Sequence, residues 1–295
     1  MDGGIRLYQE RLGLWDATFS RIDHEDAMVA LVYLVTKADG VRLILKVHER
    51  ANDYLREVYF LKRLHGHLPV PKIVGVVEPV SGVHGAILME CLPGGLLQAR
   101  EFIGSLAYEI GQYLARIHLH RMPGFGDPVQ GGLNADPRIY FTFKFEEGLQ
   151  ECRGHLPDLF IERCHEYYNQ HLNLLKEVDG PCIVHRDFRP GNLIIENGKL
   201  QGVIDWAGAR LSFAEEDFCA LEHGEWPSHS EGKDAFLEGY ASIRPVPAYD
   251  KFMLLLRLAK AIATIGFIVK RGNWNGRHAR LYQNNRRFLD ELFKL

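Results

Sequence analysis

Residues 181–206 read PCIVHRDFRPGNLIIENGKLQGVIDW, and this stretch decides how the rest of the chain is read. Two apolar runs, Leu193 to Ile195 and Val203 to Ile204, flank Glu196-Asn197-Gly198. An Asn-Gly pair is a strong signal for a two-residue hairpin, because both central residues of such a turn take positive φ. A short β-hairpin is therefore predicted here. Its entry carries His185, Asp187 and Asn192, and its exit carries Asp205. Folding the hairpin brings three oxygen-bearing side chains toward one end, the outline of a metal and phosphate site.

Moving a phosphoryl group needs a carboxylate that takes or orients the proton of the acceptor hydroxyl. It also needs oxygen ligands for Mg²⁺, which neutralises charge between phosphates. Asp187 suits the first role, and Asn192 and Asp205 suit the second. The string HRDFRPGN fits the kinase catalytic-loop pattern H-x-D-x-x-x-x-N, and here it is followed by a hairpin and then an Asp. The plainer alternative is a turn in which Asp187 and Asn192 only cap backbone groups.

HRDFRPGNLII followed by VIDWAGA resembles the aminoglycoside phosphotransferase and choline kinase group of small-molecule kinases, whose usual loop is HGDLHPGN followed by IDW. Protein kinases share HRD but usually place Lys two residues after the Asp, then DFG and a later APE. This chain has Arg189, then Asp205-Trp206, and no APE. The resemblance implies an α+β, bilobal protein-kinase-like fold. A small β-rich nucleotide-binding lobe would span 1–91, and a larger, mainly helical lobe with the catalytic loop and acceptor site would span 92–295. It also implies ATP, with GTP left open, Mg²⁺, and transfer of the γ-phosphate to a hydroxyl of a small molecule, an aminoglycoside-like or other cationic acceptor among them.

At 295 residues the chain is long enough for two lobes with their own cores. Its net charge of −3 gives no pull toward nucleic acid or anionic membrane, so neither is expected as a partner. MDGGIRLYQE has no apolar signal-peptide core, and a cytoplasmic location is expected. Five cysteines, an odd number without C-x-x-C spacing, read as reduced thiols rather than a disulfide framework or a zinc site.

In the first lobe, Thr18 to Ile22, Met28 to Val35 and Val41 to Val47 read as strands, the last two joined by a turn at Lys37-Ala-Asp-Gly40. Lys46 lies on the third strand. Eleven residues on, Glu57 sits in a helical run with Leu55, Val58, Leu61 and Leu64. In the kinase template a strand Lys contacts phosphate and a helix Glu fixes it, which assigns Lys46 and Glu57 to nucleotide binding. Leu88-Met-Glu-Cys-Leu-Pro-Gly94 resembles the family's hinge, so the backbone of Glu90, Cys91 and Leu92 is expected to meet an adenine edge. One element departs from the family: between the first strands stands Ile22-Asp-His-Glu-Asp-Ala27, without glycine and with three acids that would repel a triphosphate. This keeps open a second reading, a nucleotide- or ligand-binding kinase-like protein without turnover.

The second lobe reads as helices over Phe102 to His118, with Ile103, Leu106, Ile110, Leu114 and Ile117 on one face, and over Leu159 to Val178. A third covers Phe252 to Val269, apolar but interrupted by Arg257 and Lys260 and so a core helix, and a last runs through Leu281 to Leu292. Residues 121–138, rich in Gly and Pro, read as a loop. Glu215, Glu216, Glu222 and Glu225 could complement a cationic acceptor, although acids at a helix start are also favoured by its dipole, and Asp217 resembles a family Asp that holds this segment. Trp226, Tyr240, Tyr249 and Trp274 are candidate walls for a sugar or a quaternary amine, with core packing as the alternative. FLDELFKL resembles the acidic tail of some aminoglycoside kinases, which makes Asp290 and Glu291 further acceptor candidates. Arg189 has two possible roles, a forked contact to the transferring phosphoryl group or a brace on a neighbouring carboxylate.

Overall fold

The computed structural model describes residues 3–22, 30–222, 226 and 230–294. Residues 23–27 of the glycine-free loop, and Glu225, lie outside them. The chain opens with helix α1 (Gly3–Leu12), which was not anticipated and which lies against the first sheet. That sheet holds β1 (Thr18–Ile22), β2 (Ala30–Thr36), β3 (Arg42–His48), β4 (Ile73–Val77) and β5 (Ala86–Glu90), with helix α2 (Ala51–Leu64) between β3 and β4. The order is β1-β2-β3-β5-β4 and every pairing is antiparallel. Alternation of side chains across β3 sends Leu43, Leu45 and Val47 into a core shared with Val35 and Leu88, and turns Lys46 to the other face with α2. The β2–β3 turn closes as the Asp-Gly pair predicts: Gly40 takes φ 83° and its N–H donates to Lys37 O at 2.9 Å.

Helix α2 forms where expected, but its buried stripe is rotated. Tyr54, Glu57, Phe60, Leu61 and Leu64 face inward, while Leu55 is 38% exposed. The helix orients to bury Arg56 and Glu57 with their partners, and an apolar residue one position away gives up its place.

After β5 the chain crosses to the second lobe through Cys91 and Leu92. A short strand β6 (Gly95–Leu96) then pairs with the first strand of the hairpin at residues 193–203. Gly94 permits this contact, since a Cβ there would stand 2.1 Å from the Ile195 carbonyl oxygen. Helices α3 (Gly104–His118), α4 (Pro137–Cys152) and α5 (Asp158–His171) follow. Next come β7 (Cys182–Val184), β8 (Leu193–Glu196), β9 (Lys199–Val203) and β10 (Arg210–Ser212), and then α6 (Glu215–Glu222), α7 (Ser230–Ala241), α8 (Met253–Lys270) and α9 (Ala279–Phe293). Strands β6-β8-β9 form one small sheet and β10-β7 another. The predicted β8–β9 hairpin is present, with Asn197 at φ 52° and Gly198 at φ 71°.

Two helical expectations need correction, and one helix lies where the sequence reading marks none. Helix α3 starts at Gly104, and Ile103, its N-terminal cap residue, is exposed while Phe102 is fully buried. The run from Leu159 to Val178 is not one helix: α5 ends at His171, and a 3₁₀ segment, Leu172–Glu177, carries the chain on. Helix α4 was not foreseen. Its aromatic residues Tyr140, Phe141, Phe143 and Phe145 surround the axis instead of marking one stripe, and only Phe145, Gly148, Leu149 and Cys152 are buried. What starts it is local: Asp136 accepts from Arg138 N at 2.9 Å, with Pro137 at the first helical position.

Residues 249–270 are long and apolar enough to cross a membrane by length and composition. In the structure α8 buries Leu255, Leu258, Ile262 and Ile265 among the helices of the second lobe, packed on α4 and α9.

Candidate active site

The loop between β7 and β8 holds Asp187 and is tied down from behind. Asp217, buried at the start of α6, accepts from His185 N at 2.8 Å and from Arg186 N at 2.5 Å, and its Oδ2 lies 3.1 Å from His118 Nε2. His118 Nδ1 in turn meets the phenolic Oη of Tyr240 at 2.8 Å. Burial alone would raise the Asp217 pKa, but the His118 contact, the nearby His185 ring and the His185 peptide N–H hold it below its ordinary value. With its start fixed, the loop turns sharply. Arg186 takes φ 66°, a left-handed conformation that is uncommon for a non-glycine residue and that tends to persist where surrounding contacts over-determine it.

Asp187 is then clamped by its own loop. Asn192 Nδ2 donates to Asp187 Oδ2 at 2.6 Å and to the Asp187 carbonyl at 2.8 Å. Arg189 Nε donates to Asp187 Oδ1 at 3.0 Å and to Oδ2 at 3.2 Å, the brace geometry. Burial pushes the Asp187 carboxyl above its ordinary value, against the opposing pull of Arg189 and His185. The Asp187 side chain keeps 38% of its surface exposed, so the carboxylate is fixed and still reachable. Behind the loop, Trp226 Nε1 donates to the Phe188 carbonyl at 2.9 Å.

The hairpin exit returns Asp205 to this place. Ile204 N donates to Asn192 O at 2.9 Å, closing the two ends of the hairpin, and Asp205 takes a left-handed φ of 63°. Lys46 Nζ comes down from the first lobe and stands 2.7 Å from Asp205 Oδ1 and 2.7 Å from Glu57 Oε2. Three residues spread over 159 positions of sequence thus meet at one ammonium group. Burial would lower the Lys46 pKa, but the Asp205 and Glu57 carboxylates outweigh it and hold it above the usual lysine value. Asp205 is held down at about 2, its desolvation overcome by Lys46, whereas burial keeps Glu57 up at about 6 despite Lys46.

His48 was not singled out from sequence. Two residues after Lys46 on the same strand, it shares that face by the two-residue period, and its Nε2 lies 3.2 Å from Glu57 Oε2. Burial, then the Lys46 charge, drives its pKa down to about 3, so the ring is neutral.

The expected hinge residues connect β5 to β6. Glu90 N donates to Lys72 O at 2.9 Å and the Glu90 side chain is exposed, while Cys91 and Leu92 are partly buried. The donor set expected for Mg²⁺ is all oxygen. Asn192 uses its amide N–H on Asp187, which turns its carbonyl oxygen away from that carboxylate, and Asp205 commits Oδ1 to Lys46 and keeps Oδ2. One carboxylate and one amide oxygen fit a cation that takes its remaining ligands from phosphates and water. Among the described residues no group of three or more His, Cys, Asp or Glu forms a protein-only metal cage.

The acceptor candidates are placed differently. Glu215 is buried and receives Asp179 N at 3.0 and 3.2 Å; burial lifts its pKa to about 7. Glu216 takes Arg186 Nε at 2.9 Å and the Ser212 hydroxyl, and Glu222 pairs with Lys233 at 2.6 Å. Asp290 pairs with Arg286 one turn earlier on α9 at 3.2 Å, and Glu291 is exposed on the same helix. Of the four aromatic candidates, Trp226, Tyr240 and Tyr249 are buried among core rings, and Trp274 remains 40% exposed beside His155.

The profile of the phosphotransferase enzyme family matches residues 25–255. This chain belongs to that family. It is therefore a phosphotransferase of the small-molecule kinase group, and its two lobes are those of the kinase-like fold. Similar solved structures include the aminoglycoside phosphotransferase APH(2'')-Ib bound to ADP, at 18% identity, covering 98% of this chain and 97% of that one with a TM-score of 0.66. Another is a thermostable mutant of APH(4)-Ia in ternary complex with AMP-PNP and hygromycin B, at 13% identity, 96% and 97% coverage and a TM-score of 0.71. The human serine/threonine-protein kinase STK11 is 31% identical over 97 residues, 30% of this chain; the match spans only about a fifth (22%) of that protein's length.

Proposed function

We propose that this phosphotransferase moves the γ-phosphate of ATP, with Mg²⁺, onto a hydroxyl of a small molecule. The observation that carries this reading is the meeting of Lys46 with Glu57 and Asp205 at 2.7 Å each, together with an Asp187 held by Asn192 and still partly exposed. Support comes also from the fold relatives, whose complexes hold ADP, AMP-PNP with hygromycin B, and ATP with streptomycin. In this reading nucleotide sits on the lobe spanning 1–91, against the backbone of Glu90, Cys91 and Leu92, and the acceptor sits on the lobe spanning 92–295.

The chemistry follows from the groups present. The acceptor hydroxyl oxygen attacks the γ-phosphorus, the bond to the β–γ bridging oxygen breaks, ADP leaves, and the hydroxyl proton passes to Asp187. A carboxyl whose pKa is raised by burial is a better proton acceptor than a solvated one, and Asn192 and Arg189 keep it aimed. Lys46, freed from Asp205 by incoming phosphate, offers its charge to the phosphate oxygens while Glu57 retains it. Asn192 and Asp205 are the residues that would hold Mg²⁺, which supplies charge neutralisation on the phosphates.

The acceptor is the finer question. Glu215, Glu216 and Glu222 already serve donors of this chain and Asp290 is shared with Arg286, so a cationic acceptor would draw first on the exposed Glu291 or on groups outside this segment. The test is a melting-temperature shift with ATP or GTP and Mg²⁺, followed by a turnover screen over aminoglycosides, macrolides, choline, homoserine and methylthioribose. Nucleotide-dependent stabilisation with turnover on at least one hydroxyl acceptor is expected. Stabilisation without turnover on any of them would favour a binding protein, and the absence of both stabilisation and turnover would overturn the reading.

A further inference from the structure

Residue Arg56 immediately precedes Glu57 on α2, and both are buried. Its guanidinium reaches from the first lobe into the second. Nε donates to the Ala207 carbonyl at 2.8 Å, two residues beyond Asp205, and Nη1 donates to Asp127 Oδ2 at 2.8 Å, while Nη2 meets Asp53 on its own helix. Asp127, 2% exposed, stands on the loop between α3 and α4. It is held there by a backbone bridge, Gly126 N to Leu211 O at 2.8 Å and Leu211 N to Gly126 O at 3.1 Å, and by Val129 N donating to its Oδ1 at 3.1 Å. A second guanidinium closes the network: Arg210 Nε is 3.7 Å from Asp127 Oδ2 and donates to Tyr140 Oη of α4 at 3.0 Å. Its Nη1 binds the Gly208 and Ala209 carbonyls at 3.1 and 2.6 Å.

We infer that Arg56 and Asp127 are positioning residues for phosphoryl transfer: together they clamp α2 onto the turn after Asp205, so that Lys46, Glu57 and Asp205 are assembled before nucleotide arrives. The geometry gives the reason. One turn of α2 carries both the residue that holds Lys46 and the residue that holds the peptide following Asp205. A helix attached only to its own sheet would carry Glu57 with every hinge motion between the lobes. Pinned through Arg56 to a buried anion of the second lobe, it stays with Asp205. Removing one member of a buried pair strands the other, so the helix end then loses its anchor instead of finding a new one. Through Tyr140 the same network touches the first turn of α4, so a displacement of that helix is felt at the Asp205 turn.

The test uses Asp127→Asn, Arg56→Gln and the double variant in the full chain. Hydrogen exchange reads the clamp directly and needs no activity. In each single variant, exchange should accelerate by about tenfold or more in α2 and in residues 205–210, with α8 unchanged. The kinetic part rests on the proposed function: per folded molecule, kcat/KM for nucleotide should fall by about tenfold or more in each single variant, and the double variant should be no worse than the poorer single one, because both remove one interaction. A purely structural pair would lower melting temperature while leaving kcat and KM of the folded fraction alone, and that outcome overturns the inference. Unchanged exchange in α2 overturns it as well. Absence of turnover in the wild type would count against the kinase reading and leave the exchange result to decide the clamp.

Discussion

Two groups of polar and charged side chains, one carried by the hairpin and one by the helix that follows it, have opposite fates. The first is the set Asp187, Asn192 and Asp205, joined by Lys46 and Glu57. The second is the acidic run Glu215, Glu216, Asp217 and Glu222. In the first group contacts fix the side chains and leave atoms over, with Asp187 reachable and Asp205 keeping one carboxylate oxygen. In the second, peptide N–H groups, Arg186, Ser212, His118 and Lys233 consume the carboxylates. A dense run of acids therefore says less about ligand binding than a sparse set whose members have partners on one side only. The acids of α6 serve the site from behind: Asp217 shapes the loop on which Asp187 acts.

The comparison breaks most visibly at Asp187. In the proposed function the carboxylate serves the acceptor hydroxyl, so Asp187→Asn should lower kcat by about 10²- to 10⁴-fold while nucleotide binding stays nearly intact. Steady-state kinetics with calorimetric nucleotide titration checks this, and turnover close to wild type would remove the assignment. Asp217→Ala is the counterpart in the second group. It strands His185 N, Arg186 N and His118, so unfolding free energy should fall by about 3 kcal/mol or more in denaturant titration. A variant that keeps full stability but loses activity would place Asp217 with the chemistry instead.

A smaller effect is expected at Glu215. Its folded pKa of about 7 stands above the unfolded value of about 4.5, so the protonated form is the one folding prefers. That contribution is complete below about 4.5 and is lost as pH rises through about 7. Glu215→Gln removes it, and the stability of the variant relative to wild type should rise over that interval by about 1–3 kcal/mol. A difference independent of pH between those limits would show that Glu215 is not held protonated. The smallest effect is at Arg189. Its charge lowers the Asp187 pKa against burial, so Arg189→Met should move the acid limb of the kcat/KM profile to higher pH. If kcat collapses with the limb unmoved, Arg189 acts on the phosphoryl group and not as a brace.

Much of the catalytic hairpin was legible because its signals are local. Asn197-Gly198 fixes the turn, and the spacing from His185 to Asn192 fixes the loop. The pairing of Lys46 with Glu57 was legible only through the template, since a strand Lys and a helix Glu eleven residues on are ordinary surface residues in isolation. Helix α4 was missed because it has no single apolar stripe; its cap at Asp136 was the available signal. Period alone places Leu55 and Ile103 inside: Leu55 gives way to the buried Arg56 and Glu57 beside it, and Ile103 stands at the cap before α3 begins, where helical period no longer applies.

By itself, then, the sequence determined the hairpin, the loop that carries Asp187 and the strand-then-helix order that presents Lys46 and Glu57, all within windows where neighbouring residues constrain φ and ψ; the kinase-like fold was legible only through the resemblance of those motifs to a family. Only the tertiary structure decided which charges remain available. Whether a carboxylate faces a cleft or a buried peptide N–H depends on groups 30 to 160 positions away, such as Asp217 beneath His185 or Lys46 against Asp205. Desolvation acts on the folded surface rather than on the chain, so the same Asp or Glu becomes a reactive group, a structural anchor or a protonated acid according to what is packed around it.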